Sequence, residues 1–171
     1  MKNLIYILFI LLILPFTGCQ EKVDLAAEEE AIKTVIVKET DSFWKQDLVQ
    51  LLTTHSQEDD EVYISVGSNG YRERVGWDKN YAYFKKASTE DWSDYSDIKV
   101  ERSNWIVQIY GESAFVIFNQ TMKFKLNDEP METQSKELRL LKKMKGDWKI
   151  TMVQWIDLSS VGAAEAAGKE F

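Results

Sequence analysis

From Ala114 to Leu126 the chain alternates: Ala114, Val116, Phe118, Met122, Phe124 and Leu126 share one phase, and Gln120 is the odd residue in that row. A period of two gives a strand one apolar and one polar face, so this stretch needs a partner layer to cover its apolar side. Gly111-Glu112 before it and the turn residues of 127–130 after it bring the chain back on itself, which pairs its neighbours antiparallel. Residues 132–145 form the next strand. Gly146-Asp147 then leads into another over 148–158.

The segment before residue 111 is also extended, but its phase changes. Ile98 and Val100 stand on one face, whereas Trp105, Val107 and Ile109 stand on the opposite one. Inserting one residue restores a single buried face, so a β-bulge is expected near 102–104, bending a long strand.

The N-terminal half is helical. Ile32, Val35, Ile36 and Phe43 recur at helical spacing with Trp44 adjoining, and Glu28, Glu29 and Glu30 stand where a helix N-terminus favours negative charge, which predicts a helix over 28–46. Asp47 caps a second helix in which Leu48, Leu51, Leu52 and His55 form one stripe. Residues 62–66 and 71–74 flank Gly67-Ser68-Asn69-Gly70, a hairpin signal, and Gly76 opens a third helix bearing Trp77, Tyr81 and Phe84. Helices followed by strands joined through tight turns imply an α+β domain over 28–158, its helices packed on one face of a strongly curved antiparallel sheet. Residues 159–171, rich in Ala and Gly, read as a flexible C-terminal tail.

The first residues follow a different grammar. Lys2 precedes an apolar run from Leu4 to Phe16, and Thr17-Gly18 supply small residues before Cys19. A spanning helix needs about 20 apolar residues and a signal core only about 7 to 15, which favours an export signal over a membrane span. Phe16-Thr17-Gly18-Cys19 resembles the lipobox of bacterial lipoproteins, with Phe16 in place of the usual Leu. That resemblance implies a signal peptide over 1–18, lipidation of Cys19, and a lipidated tether over 19–27. The expected location is the cell envelope, facing the periplasm or the exterior, with the membrane engaged through lipid. The alternative is an ordinary secretory signal with an incidental cysteine.

Cys19 is the single cysteine, so the domain has no internal disulfide and no thiolate metal cage, and its stability must come from its core. With 28 acidic and 21 basic residues the net charge is −7, which disfavours nucleic acid and adsorption to anionic headgroups.

The order of elements resembles the nuclear transport factor 2-like (NTF2-like) superfamily, in particular its SnoaL-like and DUF4440 group. The resemblance covers 28–158. It is carried by the long first helix ending Phe43-Trp44, the run Asp59-Asp60-Glu61-Val62-Tyr63-Ile64, Gly76-Trp77 opening a helix, and Gly146-Asp147-Trp148-Lys149-Ile150. It implies a cone in which a bent sheet wraps the long helix and leaves a cavity at the wide end, with dimers formed through the sheet. Functions in that superfamily range over isomerases, dehydratases, epoxide hydrolases, polyketide cyclases, transport adaptors and domains that only bind, so the site must decide.

No Gly-rich phosphate loop or Gly-x-Ser-x-Gly elbow is present, and one histidine cannot build a multi-imidazole cluster, so neither metal nor cofactor is expected. His55 can serve as a general base if its helix reaches the cavity, although a lone histidine on an apolar stripe more often packs or caps. Gln120 and Gln154 each interrupt an apolar row, Gln154 among Trp148, Ile150, Met152 and Ile156; each amide is a candidate ligand contact or a partner for bulged backbone. Asp157, in phase with Val153 and Trp155, is a second candidate acid, or an exposed strand end. Tyr63, Trp77, Tyr81 and Trp105 are candidates for core or cavity wall, and Glu137 and Arg139 read as a solvated face. The expected function is non-catalytic binding of an apolar small molecule, or a scaffolding role, on a membrane-anchored domain. The alternatives are a small hydrolase, isomerase or cyclase using His55 or Asp157, and a dimerising protein-interaction module whose outer sheet face presents Val153 and Trp155.

Overall fold

The computed structural model describes residues 24–159. The expected signal peptide, the lipidation site Cys19 and most of the expected tail lie outside the described residues. Helix α1 (Leu25–Trp44) starts earlier than expected, because the Asp24 side chain accepts from the backbone N–H groups of Ala26 and Ala27. Within that first turn Glu28 is an anchor: its carboxylate pairs with Lys143 and accepts from the indole of Trp148 at 2.6 Å. Ile32 and Ile36 then bury completely against the sheet.

Helix α2 (Leu48–Leu52), capped by Asp47, ends before His55. The backbone around His55 instead runs beside the sheet, with Ile150 N–H donating to Thr54 and Ser56 N–H donating to Ile150, at 2.8 and 2.9 Å. Strands β1 (Val62–Gly67) and β2 (Gly70–Val75) form the expected hairpin, and helix α3 (Trp77–Ala87) opens after Gly76, whose φ of +96° suits glycine. The remaining strands are β3 (Tyr95–Tyr110), β4 (Ser113–Leu126), β5 (Glu129–Met144) and β6 (Asp147–Asp157). The sheet order is β2-β1-β6-β5-β4-β3. Every pairing is antiparallel except β1 with β6, which is parallel; tight turns impose direction only on consecutive strands, and these two share no turn.

The β3 bulge lies at Ser103–Ile106, with Asn104 at φ +55°. The sequence signalled neither a further register shift on β3 at Ser96–Lys99 nor a bulge on β6 opposite Leu140–Leu141, where Ile150 faces Leu141 and Met152 faces Leu140, leaving Thr151 extra. The β6 bulge reverses the phase of its strand. Trp148 and Ile150 point into the core, but beyond the bulge the inward residues are Val153 and Trp155, not Met152, Gln154 and Ile156. Gln154 therefore lies on the outer face, and Val153 and Trp155 are removed from the surface on which a partner was expected.

Strand β5 overturns a second expectation. Ser135, Glu137, Arg139 and Leu141 face inward, with Glu137 and Arg139 only 1% and 3% exposed, while Leu138 and Leu140 take the outer side. Register is the reason, because Glu137 stands opposite Phe118 and Arg139 opposite Val116, both completely buried. Pairing with β4, whose apolar face is unambiguous, forces this polar row into the interior.

Candidate functional site

A half-open cavity of about 530 Å³ lies between α1, α3, the β1–β2 hairpin and the inner face of the sheet. Its walls are aromatic: Phe43 and Trp44 from the last turn of α1, Tyr83 from α3, Tyr95 from β3, and Tyr63 and Trp155 from the sheet. The rings support one another, Phe43 stacking on Tyr83 at 6.2 Å between centroids and Trp44 tilting against Tyr95 at 6.1 Å.

The floor is polar. The inward row of β5 places the Glu137 carboxylate where Ser135 Oγ donates to it at 2.7 Å, Arg139 Nη1 at 2.8 Å and Gln120 Nε2 at 3.4 Å. Arg139 Nη2 also reaches Glu39 on α1 at 3.4 Å, and Thr40 Oγ1 donates to the same Glu39 oxygen at 3.1 Å. Burial pushes the Glu137 carboxyl above the ordinary carboxylate range against the pull of Arg139 and Ser135. Burial opposes the Arg139 charge, but Glu39 and Glu137 outweigh it and hold its pKa above the ordinary arginine value. Gln120 Oε1 and Arg139 Nε are buried without a partner among the described residues.

On the hairpin side, Arg74 lays its guanidinium 4.2 Å from the Tyr63 ring and 3.8 Å from the Tyr83 ring. Burial, reinforced by Tyr83 and Glu39, pushes the Tyr63 phenol well above its ordinary range, so it stays protonated.

The sequence-predicted residues divide between several places. Tyr63 and Gln120 line the cavity. Trp105 stacks on Phe118 in the core, 4.4 Å between centroids. Trp77 packs beside His55 and Tyr81, at 6.2 and 6.0 Å, away from the cavity. His55 itself is buried outside the cavity, its Nδ1 3.0 Å from Glu61 Oε1, and Glu61 is further held by Ser56 and Asn80. Asp157 ends β6 and accepts from the backbone N–H and hydroxyl of Ser159 at 2.9 and 2.7 Å. Gln154 is on the opposite side of the sheet.

Glu39, Arg74, Ser135, Glu137 and Arg139 are cavity residues that sequence reasoning missed. Glu39 did leave a signal: with Ile32, Ile36 and Phe43 it follows helical spacing, so it is a charge on a buried stripe. No group of three or more potential metal ligands exists among the described residues.

No protein-family model matches the chain, and no curated protein matches it significantly. Solved structures do. An NTF-2 like protein of unknown function from Shewanella oneidensis MR-1 is similar over 76% of this chain and 99% of its own, at 21% identity and a TM-score of 0.58. The association domain of C. elegans CaMKII matches over 76% of this chain and 95% of its own, at 18% identity and a TM-score of 0.61. A ketosteroid isomerase-like protein from Erwinia carotovora atroseptica SCRI1043 matches over 75% and 95%, at 18% identity and a TM-score of 0.55. With its helices, its curved and unclosed six-stranded sheet and these neighbours, the chain has the NTF2-like fold.

Proposed function

We propose that this is an exported, lipid-anchored domain of the cell envelope whose cone binds a small, largely apolar molecule without converting it. The observation that carries the reading is the cavity itself, whose volume of about 530 Å³ falls in the range of small-molecule sites and whose lining sets a cluster of aromatic rings against a polar and charged floor. Catalysis by proton transfer needs a basic lone pair facing the substrate. Of the two cavity carboxylates, Glu137 already accepts from Ser135 and Gln120 on one oxygen and from Arg139 on the other, Glu39 is paired with Arg139 and accepts from Thr40, and His55 is engaged outside the cavity. Gln120 Oε1 is left as an acceptor for a ligand group. Anchoring and localisation rest on the apolar run of 4–16 and on Gly18-Cys19.

Thermal-shift screening of the chain from Gln20 to Phe171, which retains every described element, tests the binding reading. A ligand at 100 times its Kd stabilises by about 2.7 kcal/mol, a rise of several degrees for a domain of this size. Gln120→Leu is expected to change which compounds shift the protein while leaving the free protein nearly as stable. Product formed from any hit and lost in Glu137→Gln contradicts the binding-only reading in favour of an enzyme.

A second reading, assembly through the outer face of the sheet, is supported by apolar side chains on that face, Ile106 51% and Leu140 36% exposed. It is in keeping with the likeness to an association domain. Sedimentation equilibrium decides it: a dimer dissociated by Ile106→Glu supports it, and a monomer contradicts it.

A further inference from the structure

The charges of the cavity floor are satisfied, but Arg74 on its flank is not. Its Nε and Nη2 are buried with no hydrogen-bond partner among the described residues, and it forms no ion pair there. The guanidinium carbon lies 4.2 and 3.8 Å from the Tyr63 and Tyr83 ring centroids, and an aromatic ring offers the N–H groups no oxygen acceptor. A buried donor edge without an acceptor is costly, so the arrangement is incomplete as it stands. Arg139 also has an unpartnered Nε, but two glutamates engage its Nη1 and Nη2, whereas no carboxylate pairs with Arg74 among the described residues.

The sign of the cavity points the same way. Three arginines, Arg72, Arg74 and Arg139, face two glutamates, Glu39 and Glu137, on its walls, in a chain whose net charge is −7. A cationic surplus inside an acidic protein is matched by an anion. Nε and Nη2 form one edge of the guanidinium, with parallel N–H vectors spaced for the two oxygens of a carboxylate. Three arginines against two glutamates leave a surplus of one positive charge, which balances one negative charge, whereas a phosphate dianion would set excess charge near Glu39 and Glu137. Arg102 has the same unpaired edge but does not line the cavity.

We propose that the ligand is an apolar-bodied monocarboxylate, its carboxylate seated on the Nε–Nη2 edge of Arg74 and its body lying against Phe43, Trp44 and Trp155. This rests on the reading of the cone as a binding site and adds the class of ligand.

Titration calorimetry of the chain from Gln20 to Phe171 at low ionic strength, with 4-biphenylcarboxylate and the neutral 4-biphenylmethanol as probes, separates the two levels. The carboxylate is expected to bind at least about 10-fold more tightly than the alcohol, the scale of a charge-assisted pair. Arg74→Met is expected to erase that preference, weakening the carboxylate by roughly 10- to 100-fold and leaving the alcohol within about 3-fold. Arg74→Lys keeps the charge and the ring contacts but loses the fork, and its preference is expected to fall between the two; it decides the matter if circular dichroism shows Arg74→Met unfolded. Equal binding of both probes to the wild type, or a carboxylate affinity unchanged by the Arg74 variants, overturns the anion proposal and leaves the cavity reading standing. Binding of neither probe at millimolar concentration overturns the cavity reading, and the proposal with it.

Discussion

Glu137 and Arg139 stand two positions apart on β5 and close an ion pair of 2.8 Å inside the cone, with the guanidinium also reaching Glu39 on α1. Removing the cation leaves two carboxylates in the interior, so Arg139→Met is expected to cost about 3 to 5 kcal/mol at neutral pH by denaturant titration. The pH dependence has a definite sign. The Glu137 pKa already stands above its ordinary 4.5 through burial, and loss of Arg139 raises it further. An acid whose folded pKa is raised favours the folded state fully below its unfolded pKa and loses that contribution as pH rises through the folded value. The deficit of Arg139→Met is therefore expected to shrink as pH falls toward the ordinary carboxylate range. A deficit that grows in acid contradicts the assignment.

Glu28 ties the first turn of α1 to β5 and β6. Hydrogen bonds from Lys143 and then from Trp148 lower its pKa below the ordinary 4.5. A depressed acid contributes stability above its unfolded pKa and loses it as pH falls through its folded pKa. Glu28→Gln is expected to melt below the wild type at pH 7, with the gap closing as pH falls below the ordinary carboxylate range, followed by fluorescence of Trp148 and its neighbours.

Trp148 is buried beside Ile32 and Ile150, and its indole N–H is satisfied by Glu28. Truncation to alanine leaves a cavity and removes one of the two side-chain partners of Glu28, Lys143 remaining, so Trp148→Ala is expected to destabilise by about 3 to 5 kcal/mol. A loss below about 1 kcal/mol would be that of a surface residue.

Much of this architecture was legible in the sequence, and the failures share one cause. The β3 bulge announced itself because apolar residues on both sides of it kept opposite phases. The β6 bulge did not, because Met152 and Ile156 continue the phase of Trp148 and Ile150, with Gln154 the one polar interruption, and only pairing with Leu140 and Leu141 shows the extra residue. Glu137 and Arg139 alternate as solvated residues do, and their burial follows from their register with Phe118 and Val116, which no local pattern encodes. The cavity was legible where one polar residue broke an apolar row, as at Gln120, and illegible where the whole inward row was polar, as on β5. Arg74 had no signal, since nothing local in its hairpin shows that Tyr63 and Tyr83 enclose it.

The envelope assignment stands or falls on the cysteine. Metabolic labelling with a tagged fatty acid is expected to mark the wild-type chain and not Cys19→Ala, which should remain an uncleaved, unlipidated precursor. Label on the alanine variant, or none on the wild type, contradicts lipidation at that position.

The most direct test of the central claim is a crystal structure of the chain from Gln20 to Phe171 with the compound that gives the largest thermal shift. The account predicts density inside the cone, in contact with Gln120 and enclosed by Trp44 and Trp155, with the compound chemically unchanged. Density on the outer face of the sheet with an empty cone, or a transformed compound within it, would contradict the account.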